Sequence, residues 1–142
     1  MRLFNSEFEV SMRVLLLLNV FHSSLDIDRI MYLDFFTIFS ENYALGGENI
    51  NGDSDYRINS LTLQPELYKN AIKELVTSGL ISVQNERNGF CYIITSRGRK
   101  ICASMSSDYS EQYRRNAELT RVRLQDKSLK AIKLYAKEME GN

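Results

Sequence analysis

NAIKELVTSGLISVQNERNGFCYIITSRGRK, residues 70–100, changes pattern three times within one short span. Leu67, Ala71, Ile72, Leu75 and Val76 recur at helical spacing, and Pro65, the only proline, suits the first residue of that helix. Gly79 supplies a left-handed stop, and Leu80 folds back onto the apolar face. Two β-prone runs follow, LISVQN and GFCYIIT, around a turn closed by Asn88-Gly89. Thr95 or Ser96 then caps a short helix from about Arg97 to Met105. The span predicts a helix, a hairpin and a second helix.

On its N-terminal side, Ser6 with Glu9 forms a capping box, and Phe8, Met12, Leu15, Leu16 and Asn19 predict a first helix over about 7–22. Asp26 or Ser24 caps a second, carrying Ile27, Ile30, Met31, Phe35, Ile38 and Phe39. Tyr32, Leu33 and Phe36 fall off that stripe, which implies burial on two faces or a surface for another chain. Phe35 and Phe39 read as core, and Tyr32 and Phe36 as the interface candidates. Residues 43–64 are polar, glycine-rich and aperiodic, and predict a long loop with a short strand near 58–63.

Beyond Ser107 neither proline nor glycine occurs before Gly141, so one helix of about 30 residues, or two with a bend, is expected. Val122, Gln125, Leu129, Ile132, Ala136 and Met139 fall on an a/d seam too short for a lone coiled coil. Val122, Leu129, Ile132 and Met139 are therefore expected to meet the core, a second copy or a partner. The order of elements predicts an α+β, mostly helical fold: a winged helix (helix-turn-helix with β-hairpin wing) over residues 1–106, then a C-terminal helical extension over 107–142.

Eighteen basic and eighteen acidic side chains give a formal charge of zero, so no global field draws the chain to nucleic acid or anionic lipid. The distribution is polarised: residues 1–60 carry four basic and nine acidic groups, residues 109–142 eight and five. Cys91 and Cys102 lack CxxC spacing and His22 is the only histidine, so no metal site or cofactor is expected, and both thiols read as free in a reducing cytoplasm. The longest apolar run, Val14–Phe21, is far short of the ~20 residues that span a bilayer.

Asn49, Asn51, Asp53 and Asp55 mimic the alternate ligands of a calcium loop, yet Ser54 stands where the turn glycine belongs and Ser60 where the bidentate glutamate belongs. A solvated loop is the expectation. Phosphate loops, GxSxG and HExxH are absent, which argues against an enzyme and leaves no catalytic residues to name. Asp26 and Asp28 suit a helix start, whereas Asp34 lies on the apolar face and calls for a buried hydrogen bond or a partner's arginine.

A DNA-reading helix of this kind would present several Arg, Lys, Asn or Gln side chains. Here the exposed set predicted from spacing is Glu66, Tyr68, Lys69, Asn70, Lys73, Glu74 and Thr77, with Glu66 placed to repel phosphate. Arg97, Arg99 and Lys100 form the one dense basic cluster, a candidate phosphate contact. DNA is thus expected to bind weakly at most, or through a complex. A dimeric winged-helix transcription regulator, paired through the last helix, is the alternative reading.

FNSEFEVSMRVLLLLNVF at 4–21, LDIDRIMYLDFFTIF at 25–39, NSLTLQPELYKNAIKELVTSGLISV at 59–83 and GFCYIITSRGRKI at 89–101 together resemble the small winged-helix middle component of bacterial ABC-three-component systems, the group that includes Lamassu-type anti-phage defence. Members often show Ser-Leu-His-Pro before the third helix; Ser60-Leu61-Thr62-Leu63-Gln64-Pro65 keeps the serine, leucine and proline, lacks the histidine and has two extra residues. The resemblance implies a cytoplasmic, non-catalytic scaffold or adaptor subunit that docks an SMC-like or RecN-like ATPase and an effector such as a nuclease. Pairing with a second copy stays open.

Overall fold

The computed structural model describes residues 6–50, 64–87 and 89–140. Its elements are α1 (Glu7–Phe21), α2 (Ile27–Ile38), α3 (Pro65–Thr77), β1 (Ile81–Glu86), β2 (Gly89–Ile94), α4 (Ser96–Ser104), α5 (Asp108–Leu124) and α6 (Leu129–Glu140). The fold is α+β and mostly helical, with one antiparallel hairpin among the described residues.

Helix α1 begins where Ser6 Oγ accepts the Glu9 N–H at 3.2 Å, the predicted cap. Val10, Val14, Leu15, Leu16, Leu17, Leu18 and Phe21 are all buried. A helix apolar on most of its circumference must be surrounded, and α3 and α5 pack along it while α2, α4 and β2 close the remaining sides. His22 ends it in the left-handed region, φ 57°.

Asp26 caps α2 by accepting the Arg29 N–H at 2.9 Å. Every residue from Leu33 to Ile38 is buried, because α5 and α6 cover the side of α2 that α1 and α3 do not. The surplus apolar character of α2 is thereby accounted for within the chain.

Pro65 opens α3 and Gly79, at φ 77°, turns the chain out of it, both as expected. In the hairpin, Ile81 pairs with Ile94 and Glu86 with Gly89. Between α1 and α2, Leu25 exchanges two backbone hydrogen bonds with Tyr92, at 3.0 and 2.8 Å, adding a one-residue bridge to β2. Thr95 caps α4, accepting the Gly98 N–H at 3.1 Å. At Gly98 a Cβ would lie 2.2 Å from the Leu80 carbonyl oxygen and 2.7 Å from Ile94 Cγ1, so only glycine lets α4 approach the hairpin base this closely.

One alternative is settled and one expectation needs correction. The C-terminal segment is two helices, broken at Gln125–Ser128 without glycine or proline: Asp126 takes φ 69°, and Ser128 Oγ accepts the Ala131 N–H at 3.1 Å to start α6. The start of the predicted loop is not solvated, since Tyr43, Leu45 and Ile50 are buried and the Ile50 N–H donates to the Ile38 carbonyl at 2.8 Å. Asn116 Nδ2 holds this segment to α5 by donating to the carbonyls of Thr37 and Glu48 at 3.0 and 2.8 Å. The remainder of that loop, with Asn51, Asp53, Asp55, Ser60 and the strand expected near 58–63, lies outside the described residues.

Candidate functional site

At the centre of the helices, Arg13 and Asp34 form an ion pair with neither side chain exposed. Arg13 Nε lies 3.0 and 3.2 Å from the two Asp34 carboxylate oxygens, and Nη2 lies 3.1 Å from Oδ2. The Tyr68 hydroxyl donates to Oδ2 and the Tyr113 hydroxyl to Oδ1, the latter at 2.6 Å. One carboxylate thus ties α1, α2, α3 and α5 together. Burial pulls against the Arg13 charge, yet Asp34, with Tyr68 and Tyr109 adding to it, outweighs burial and holds the guanidinium well above its ordinary pKa. Burial, then the Asp34 charge, push both phenols well above theirs.

Such a network fixes helix positions and offers no free base or nucleophile. A carboxylate that accepts from a guanidinium and two hydroxyls has its lone pairs occupied, and it is sealed from solvent. The sequence singled out Asp34 but missed Arg13, which sits in an apolar run, and placed Tyr68 on the exposed face of α3. Tyr68 is 4% exposed. The available signal for it was its spacing: Tyr68 stands four residues before Ile72 and three before Ala71, on the apolar stripe.

The predicted interface residues do not form one surface. Phe36 is fully buried, its ring centroid 4.6 Å from that of Tyr43 and 5.6 Å from that of Tyr135, so this chain itself covers it; Tyr32 is half-buried. Along the seam, Ile132 is buried in the core, Leu129 and Met139 are partly covered, and Val122 is 71% exposed. The break at Gln125–Ser128 destroys the common phase that a single helix would have given these side chains. Arg97, Arg99 and Lys100 stand exposed on the first turns of α4, and Arg99 Nη2 donates to Ser96 Oγ at 3.2 Å.

Cys102 is buried, its thiol 3.6 Å from the Leu15 carbonyl, and burial pushes its pKa up to about 11. Cys91, on β2, is half-buried and also shifted upward, first by burial and then by Glu86. Among the described residues no three His, Cys, Asp or Glu side chains converge as a metal-ligand set, and no helix is long and apolar enough to cross a membrane.

These features define a helical, α+β module whose buried ionic groups are engaged in its own packing. A family model described as ABC-three component (ABC-3C) system Middle Component 2 matches residues 3–141, and the chain belongs to that family. No curated protein and no solved structure matches it. A middle component of a multi-component system has protein partners.

Proposed function

We propose that this chain is a non-catalytic, winged-helix scaffold subunit of a bacterial anti-phage defence complex of the Lamassu type, docking an SMC-like ATPase and an effector such as a nuclease. The winged-helix assignment rests on the order α1, Leu25, α2, α3, β1, β2, with Leu25 bridging β2 as a vestigial first strand. The observation that carries the scaffold reading is the Asp34 site. The one fully buried carboxylate among the described residues is consumed by Arg13, Tyr68 and Tyr113, which suits a rigid platform and leaves apolar surface as the means of action.

The division into a winged-helix unit (1–106) and a helical extension (107–142) is part of the proposal, with the extension bracing the unit: Tyr113, Ala117, Leu124 and Ile132 join the same core as α1 and α2. DNA reading by α3 is disfavoured by Glu66 at its N-terminal end, exposed and paired with Lys69 at 3.3 Å. Titration of labelled duplexes with the purified chain at physiological salt tests this. Weak, sequence-blind binding is expected, whereas nanomolar, sequence-selective binding would favour a regulator.

A further inference from the structure

Phe8 is 72% exposed and Ile101 40% exposed, although Phe8 belongs to the apolar repeat of α1. They flank a groove of about 570 Å³ between the N-terminal half of α1, the C-terminal end of α3 and α4. Its floor and walls are mainly apolar, with Met12, Leu75, Leu80 and Met105 beside those two residues. Two carboxylates, Glu7 and Glu74, stand on its rim, and among the described residues no lysine or arginine lines it. Exposed apolar area of this kind on a folded chain marks a place where something else binds.

We propose that this groove is the docking site for a cationic amphipathic helix belonging to another component of the system, an assignment that rests on the scaffold reading. Three features select that occupant. Apart from Ser78, Leu80 and Met105 the lining residues belong to helices, and among the described residues no strand lines the groove, so an extended peptide would leave its backbone N–H and C=O groups without partners, while a helix satisfies its own. Among the described residues the rim is acidic, with Glu7 and Glu74 its charged side chains, so lysines or arginines flanking an apolar stripe are complementary to it. Met12 and Met105 give an adaptable floor for large aliphatic or aromatic anchors.

A second copy of this chain fits less well. Its own cationic helix, α6, directs Lys130, Lys133 and Lys137 outward, but Leu134 is the one exposed large hydrophobic there among the described residues, the rest of its apolar face lying against α2. A single leucine cannot fill a groove of this size.

The test uses the full chain co-expressed with the other proteins encoded beside it. A photo-crosslinking amino acid at position 8 or 101 is expected to join a lysine- or arginine-flanked helical segment of another component, and Phe8→Asp with Ile101→Asp to weaken assembly at least 30-fold. Both side chains are exposed, so thermal melting of the variant should match the parent. Glu7→Lys with Glu74→Lys should weaken assembly about tenfold at low salt, and less at high salt. Crosslinks to a second copy alone, or full assembly by the Phe8 and Ile101 variant, overturn the groove assignment while leaving the scaffold reading intact. Failure of the parent chain to assemble with any component overturns both.

Discussion

Arg13 on α1 and Asp34 on α2 face each other across the centre of the protein at 3.0 Å, with no solvent contact. Removing either partner strands a buried charge, so Asp34→Ala or Arg13→Met should each cost about 3–5 kcal/mol in urea unfolding. The double replacement should cost clearly less than the sum, because neither charge is then left alone. Strict additivity, or single losses under about 1 kcal/mol, would mean that the pair is not the linchpin described.

Alkaline pH should unfold the protein early. The Tyr68 and Tyr113 phenols are raised in the folded state, so their contribution is complete below the ordinary tyrosine value of about 10 and declines as pH rises from there toward the folded values. Tyr113→Phe loses a donor to Asp34 and should be less stable at neutral pH by about 1–2 kcal/mol, with a shallower decline above about pH 10. Chemical unfolding across the alkaline range checks the sign; stability independent of pH there would contradict it.

The thiols should differ in reactivity. Burial lifts Cys102 to about 11 and closes it off, whereas Cys91 is partly open on the hairpin. A thiol reagent near neutral pH is expected to label Cys91 first and Cys102 at the rate of unfolding. Equal rates for the two would contradict the packing of α4 against α1.

The seam residues should separate sharply. Ile132→Asp places a charge in the core and should cost about 3 kcal/mol or more, while Val122→Asp, on a side chain 71% exposed, should leave the melting temperature nearly unchanged. Similar melting temperatures for the two would restore a single continuous seam.

What was legible in the sequence was local. Ser6, Asp26, Pro65, Gly79 and Thr95 each act on backbone within a few residues, and the starts and stops they predict are where the structure has them. Illegible were contacts set by tertiary packing. Arg13 and Asp34 are 21 residues apart, and Asp34 and Tyr113 79, so nothing in the periodicity of one helix announces its partner on another. Two helices with a bend was one of the two readings open from the sequence, but the place of the break carries no proline or glycine and rests on Asp126 adopting a left-handed backbone, which the seam pattern conceals. Tyr43, Leu45 and Ile50 read as loop because their burial follows no period.

The scaffold reading is tested most directly by tagging the SMC-like ATPase that it proposes as a partner, purifying the co-expressed system and measuring the mass of the assembly. The expected result is a defined complex containing this chain, which shows neither ATP hydrolysis nor nuclease activity when purified alone. Recovery of this chain only by itself, free of the ATPase component and binding duplex DNA selectively, would contradict it.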